Sequence, residues 1–293
     1  MWCSKRAVAT PLTRYNPRQF AITPKSMTDH YAVIGHPVAH SQSPRIHALF
    51  AAQTGQDMAY SAVEAPLDDF TGTVMRLRSE GFRGCNVTVP FKFEAFNLAT
   101  RLSERATAAQ AVNTLTFDAD AILGDNTDGA GLVHDIESNL ALPLAGKRVL
   151  LMGAGGAAYG VVLPLLQAGA QLTVVNRTAA KALDLAQTFS GARIQAGGYD
   201  LPGDASFDVV INATSSGLSD ELPPLPATAL TSNSLAYDMM YGRETPFMAF
   251  AHARGARVAD GLGMLVEQAA EAFFVWRGIR PETAPVLQAL RSA

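Results

Sequence analysis

From Tyr31 onward, short apolar runs alternate with longer stretches whose apolar positions recur every three or four residues. The short runs have the length and β-branched content of strands, and the longer ones the period of helices. YAVIG (31–35), YSAVE (60–64), CNVTV (85–89) and VNTLTF (112–117) make a first strand set, with helices predicted over 44–54, 67–80 and 91–109. A second set follows: RVLLMG (148–153), LTVVNR (172–177), ARIQ (192–195), DVVINAT (208–214), LAYDMM (235–240) and ARVAD (256–260). Such alternation predicts an α/β protein with mainly parallel sheets. Between the sets, GDNTDGAGLVHDIESNL offers Thr127 or Asp128 as the cap of a connecting helix that runs through Leu140. Near the end, LGMLVEQAAEAFFVWRG (262–278) is apolar on more than one face, as suits a helix wedged between two domains, and a last helix at 283–291 should return to the first.

A length of 293 residues suits two domains, each with its own core. The expected division is an N-terminal α/β domain of 27–128 plus 264–293 and a Rossmann-type, doubly wound domain of 129–263, with a cleft between them. With 48% apolar residues, 17% charged residues and a net charge of -3, the class is soluble and globular, with no basic excess for nucleic acid. Residues 1–26 carry five basic residues and no acid, which leaves -8 for the remainder. They lack the apolar run of a secretory signal, and share the composition of a transit peptide, a tail before a start at Met27, or a disordered extension. Only Cys3 and Cys85 are present, too few for a disulfide framework, so the chain reads as cytoplasmic and reduced. His36, His40 and His47 lie close in sequence, but Pro37 and Pro44 spoil a helical register, and no metal site is expected. From Val149 to Asn176 no residue is charged. Six internal glycines and prolines divide that span into strand, turn, helix and strand, so a buried βαβ unit explains it better than a membrane helix. Composition and periodicity leave a monomer or a homodimer equally open.

Gly153, Ala154, Gly155, Gly156 and Ala157 follow the strand RVLLM directly and open a helix, with Ala158 completing G-x-G-x-x-G/A. In that context the glycines permit a tight turn and close backbone approach to a pyrophosphate, whose charge meets the helix N-terminus. An NAD enzyme places Asp or Glu near the end of the second strand, about twenty residues on. This chain has Asn176, Arg177 and Thr178 there, with Lys181 one turn later. A carboxylate would repel a 2'-phosphate, whereas Arg177 can fork onto it, so NADP (NADPH) is the expected cofactor. The loop Asn212-Ala-Thr214-Ser215-Ser216-Gly217 follows DVVI and should border the nicotinamide side.

Residues just past parallel strand ends gather along one edge. By that rule Ser41, Ser43, Asn86, Thr88, Lys92, Asn113 and Asp128 converge on one cleft. Hydroxyls, amides, one ammonium and one carboxylate suit a small polyhydroxylated ligand, since each ligand hydroxyl needs a partner when it leaves water.

HSxSPxxH (from His40), NVTVPFK (from Asn86), AVNT (from Ala111), GDNTDG (from Gly124), GAGGA (from Gly153), NRT (from Asn176), NATSSG (from Asn212), YDMMY (from Tyr237) and DGLGMLVEQAA (from Asp260) stand in order. Together they resemble the shikimate dehydrogenase family over about Tyr31 to Leu290. The resemblance implies reversible NADPH-dependent reduction of 3-dehydroshikimate to shikimate in aromatic amino-acid (chorismate) biosynthesis. It implies Lys92 and Asp128 as the catalytic pair, and Ser41 and Ser43 on the substrate carboxylate with Tyr241 close by. Asn86, Thr88, Asn113, Asp128 and Gln268 would bind substrate hydroxyls, and Thr214, Met239 and Gly261 would join the cofactor contacts. Two positions depart from the family pattern: Lys181 where many relatives have arginine, and Phe93 where the residue is often charged. Hydride addition turns a carbonyl oxygen into an alkoxide, which needs a proton donor within hydrogen-bond reach, and Lys92 is placed to be that donor. Rival readings are a quinate/shikimate dehydrogenase of relaxed choice, which NRT argues against, and a methylenetetrahydrofolate dehydrogenase, which lacks the serine pair. A ligand sensor that lost the reaction is disfavoured by the retention of both Lys92 and Asp128.

Overall fold

A computed structural model of the chain describes residues 28–189, 194–214 and 220–292. The amino-terminal extension, the start of the ARIQ run, and Ser215, Ser216 and Gly217 lie outside the described residues. Among the described residues the strands form two six-stranded sheets. The first holds β1 (Asp29–Gly35), β2 (Met58–Glu64), β3 (Gly84–Val87), β4 (Arg101–Leu102), β5 (Thr114–Phe117) and β6 (Ile122–Asp125), in the order β2-β1-β3-β5-β6-β4. The second holds β7 (Arg148–Met152), β8 (Gln171–Val175), β9 (Gln195–Gly197), β10 (Val209–Asn212), β11 (Leu235–Asp238) and β12 (Arg257–Ala259). All its pairings are parallel, in the order β12-β11-β10-β7-β8-β9, the doubly wound arrangement with its switch point between β7 and β10.

Alternate side chains of the second sheet enter different cores, as period-2 geometry requires. Val149, Leu151, Val174, Ile211 and Tyr237 pack under α6 (Gly156–Gln167) and α7 (Ala179–Thr188). Leu150, Met152, Val175, Val210 and Ala236 face α8 (Pro246–His252). Covering both faces explains why so long a span carries no charge. In the first sheet, Ile34, Val87 and Leu115 pack with α2 (Phe70–Ser79) and α3 (Lys92–Leu98). The opposite face is closed by α1 (Ser43–Thr54), α9 (Leu262–Arg277) and α10 (Ala284–Arg291), through Ile46, Phe50, Val266, Phe273 and Val286. Met264, at the start of α9, belongs instead to the core of the second sheet, so α9 joins both cores as its two-faced apolar pattern predicts.

Three expectations need correction. The helix predicted over 91–109 is α3, then β4, then α4 (Glu104–Ala109). Thr100 and Ser103 donate backbone bonds to Ile122 O (2.8 Å) and Gly124 O (2.9 Å), so the intervening residues add to the edge of β6, and Ser103 Oγ then caps α4. The connector is not one helix: α5 (Asp128–His134) passes into a π-helical turn at Asp135–Asn139. Thr127 sits at its cap position, yet its hydroxyl bonds Asn113 rather than the helix. Finally, β5 runs antiparallel to both β3 and β6. Asn113 therefore reaches the functional edge as the residue before an antiparallel strand, where its parallel neighbours end.

Candidate active site

The loop after β3 runs through Thr88 and a cis Val89–Pro90 bond to Lys92, the first residue of α3. Thr88 is pinned by its backbone to Ile34 O (2.8 Å), and a Cβ on Gly35 would meet Thr88 Cγ2 at 2.4 Å, so this close approach of the β1 and β3 ends needs glycine. Lys92 Nζ reaches Asp128 Oδ2 at 2.5 Å, with 12% and 6% of the two side chains exposed. Asp128 lies in the first turn of α5, where the helix dipole favours a carboxylate. Removing both charges from water costs free energy, so a buried pair adds little to stability and is better explained by chemistry.

Around this pair the amides are nearly saturated. Asn113 Nδ2 donates to Asp128 Oδ1 (2.7 Å) and Thr127 Oγ1 (2.9 Å), and Gln268 Oε1 stands at 3.2 Å. Its Oδ1 accepts from Thr127 N and Thr114 Oγ1, both at 2.8 Å. Asn113, expected on a substrate hydroxyl, is 2% exposed and contacts Asp128 directly. Asn86 donates to Asn113 O (3.2 Å) and Thr114 Oγ1 (3.0 Å), while its Oδ1 accepts from Tyr60 Oη (2.7 Å). Only a second lone pair on that oxygen is left for a ligand. Ser43 lies beside the Tyr60 hydroxyl, whose pKa burial pushes well up, and the Ser43 amide donates to Ser41 Oγ at 3.2 Å. Tyr241, from the second lobe, lies beside the backbone of Gln42, which places it across from the serine pair. Ser41, Ser43, Asn86, Asn113, Lys92, Asp128 and Gln268 are therefore joined by one chain of contacts, and Thr88 lies on the loop that leads to Lys92.

The dinucleotide turn matches its sequence signature. Gly153 has φ +110°, and a Cβ there would lie 2.9 Å from Ala213 O. A Cβ on Gly155 would meet open space, leaving the start of α6 approachable. At Gly156 a Cβ would sit 3.1 Å from Lys92 Cβ, so the lysine stem packs against the turn where the two lobes meet. Beside it, Phe93 and Tyr159 make an edge-on ring contact at 5.6 Å. Across the switch point, Asn212 Oδ1 accepts from Thr214 N and Oγ1, and its amide donates to the fully buried Asp238. Met239 and Gly261 are adjacent, since a Cβ on Gly261 would strike Met239 O at 2.2 Å. After β8, Asn176 bonds Thr178 O, whereas Arg177, Thr178 and Lys181 are exposed, and neither cation forms an ion pair among the described residues. These groups fit a dinucleotide whose adenosine end carries a phosphate.

Sequence reasoning missed Tyr60, Asn126 and Arg105. Asn126 donates to Ala111 O (2.9 Å) and accepts from Asp128 N (3.1 Å). Of the three histidines, His36 bonds Ala65 O, and His47 is fully buried beneath Tyr60 with rings 4.1 Å apart.

A doubly wound dinucleotide lobe facing a buried ammonium–carboxylate pair defines a two-domain, nicotinamide-dependent oxidoreductase. Family models described as the shikimate dehydrogenase substrate binding domain, shikimate / quinate 5-dehydrogenase and the shikimate 5'-dehydrogenase C-terminal domain match residues 33–115, 136–219 and 261–291. A shikimate dehydrogenase (NADP(+)) of Methylobacillus flagellatus is 62% identical over 269 residues, covering 90% of this chain and 100% of that protein. The chain belongs to the shikimate dehydrogenase family. Among solved structures, shikimate 5-dehydrogenase of Thermus thermophilus in complex with NADP(H) and shikimate superposes with a TM-score of 0.80 at 35% identity, covering 90% and 99% of the two chains. Shikimate dehydrogenase of Aquifex aeolicus gives 0.82 at 32% identity, covering 90% and 98%.

Proposed function

We propose that the protein is an NADP-dependent shikimate dehydrogenase that interconverts 3-dehydroshikimate and shikimate in aromatic amino-acid biosynthesis. The observation that carries this reading is the contact of Lys92 Nζ with Asp128 Oδ2 at 2.5 Å, in a buried site whose lysine stem lies on the dinucleotide turn. When bound, NADPH supplies the hydride. Lys92 donates the proton that neutralises the developing alkoxide, and in the oxidative direction takes it back. Asp128 aims the ammonium and accepts from a substrate hydroxyl, held in turn by Asn113. Ser41 and Ser43 receive the carboxylate with Tyr241 beside them. Asn86 can serve only as an acceptor, and Thr88 and Gln268 complete the hydroxyl contacts. Gly153 to Ala157 take the pyrophosphate, Asn176, Arg177, Thr178 and Lys181 the adenosine phosphate, and Thr214, Met239 and Gly261 the nicotinamide side. The proposed domains, 27–128 with 264–293 and 129–263, are supported by core membership except at the boundary itself: Leu132 and Ile136 of the connector pack with the second sheet, as does Met264, and Val266 onward packs with the first.

Mixing the protein with NADP and shikimate should raise the near-ultraviolet absorbance of reduced nicotinamide. No change with shikimate, or a faster rise with NAD than with NADP, would contradict the reading.

A further inference from the structure

Behind the Asp128 loop, on the side away from the cofactor turn, the guanidinium of Arg105 on α4 joins two separate elements. Its Nε and Nη2 donate to Asp125 Oδ1 (2.6 Å) and Oδ2 (2.8 Å), a bidentate fork on the last residue of β6. Its Nη1 donates to Glu271 Oε1 on α9 at 2.8 Å. Asp125 stands three residues before Asp128, and Glu271 three residues after Gln268, so each is one short step from a group at the reacting centre. Asp125 Oδ1 also accepts from Asn126 N (2.7 Å) and Ser103 Oγ (2.5 Å), and Asn126 holds the Asp128 amide. Burial opposes the charges of both Arg105 and Asp125; the hydrogen bonds between them outweigh it, pushing the guanidinium pKa up and the carboxyl pKa down. Glu271 is further tied to Arg280.

We propose that Arg105 is a positioning residue whose fork across Asp125 and Glu271 sets the distance between the Asp128 loop and Gln268 of α9. On the front of the loop, Asn113 contacts Asp128 and Gln268 together; Arg105 is the matching brace at the back. A planar fork fixes orientation as well as distance, which a lysine cannot do. This inference rests on Lys92 and Asp128 being the catalytic pair. Arg105 also lines an open groove of about 890 Å³, together with Glu271, Arg280 and His134, so a small cation can reach its place from solvent.

The test is steady-state kinetics of Arg105→Ala and Arg105→Lys, with and without millimolar guanidinium chloride. A misplacement of the catalytic loop should lower kcat of Arg105→Ala about tenfold or more, with KM for NADP unchanged because the phosphate contacts lie in the other lobe. Added guanidinium should recover part of the loss, sodium chloride at equal ionic strength none, and Arg105→Lys should fall between. Wild-type kcat in a folded Arg105→Ala, or a loss that guanidinium leaves untouched while thermal stability drops, would overturn the proposal. If Arg105→Ala does not fold, Arg105→Lys decides, and wild-type kcat there overturns it. Lys92→Ala measured alongside separates the two claims: normal turnover in that variant sinks the catalytic pair itself, whereas its inactivity beside normal Arg105 variants sinks only the brace.

Discussion

Arg177 and His47 show how one residue's surroundings decide what its charge does. Arg177 is exposed at the end of β8 and has no ion pair among the described residues, so its guanidinium is free to meet a phosphate. Arg177→Ala should weaken NADP binding at least about tenfold and NAD binding little, measured by calorimetric titration; equal losses would remove the 2'-phosphate contact. His47 lies fully buried among Phe50, Tyr60, Phe273 and Trp276, and neither ring nitrogen has a hydrogen-bond partner. Burial drives its pKa from 6.5 down to about 3, and proximity of the Asn86 amide offsets this only in part. The folded value is depressed, so the unfolded chain binds the extra proton between these limits. The contribution of His47 to stability is fully present above pH 6.5 and is lost as pH drops toward 3, by at most about 1.4 kcal/mol per unit. His47→Phe keeps the aromatic packing and should flatten denaturation midpoints between pH 6 and 4; an unchanged slope would mean the ring is not the titrating group. Lys92, Asp128 and the glycine turn were legible because their chemistry is carried by residue type beside a strand end. The commitment of Asn113 to Asp128 was not, since its partners come from three distant segments and leave no periodic trace.

Among elements, the contact of α5 with α6 depends on missing side chains. A Cβ on Gly160 would stand 2.8 Å from Asn126 Oδ1 and 3.2 Å from Asp128 Oδ2, and one on Gly129 would lie 2.3 Å from Pro164. Helix α6 is thereby seated directly on the loop that carries Asn126 and Asp128. Gly160→Ala gains up to about 1 kcal/mol of helix propensity but must displace Asn126, at a cost of about 1–3 kcal/mol. Because Asn126 holds the Asp128 amide, kcat should drop about tenfold or more while the melting temperature moves little; wild-type kcat would show that the loop absorbs the methyl group without consequence. The sequence exposed the helix on each side of this contact but not the contact itself. It also hid β4 and β6, which are too short to carry a period; β4 moreover finds its partner, β6, about twenty residues on.

At the scale of the molecule, two lobes meet at the lysine stem, at Phe93 against Tyr159, and at Tyr241 against Gln42. They are joined through α9 and through α5 with its π-helical turn, whose buried Asp135 accepts from Tyr237 Oη at 2.6 Å. Few connections and a polar cleft favour hinge motion. Crystals grown with and without NADP and shikimate should differ in interdomain angle, and identical angles in several forms would describe a rigid pocket. The two-lobe plan was readable because α/β alternation and a dinucleotide turn are local signals. How far the lobes approach depends on contacts between distant residues.

The central claim is that the Lys92 ammonium, held by Asp128, carries the proton. Its most direct measurement is turnover of Lys92→Ala with shikimate and NADP, with substrate binding measured separately. The account predicts a kcat reduced about 10²- to 10⁴-fold and shikimate affinity much less affected. Near-normal kcat in that variant would contradict it.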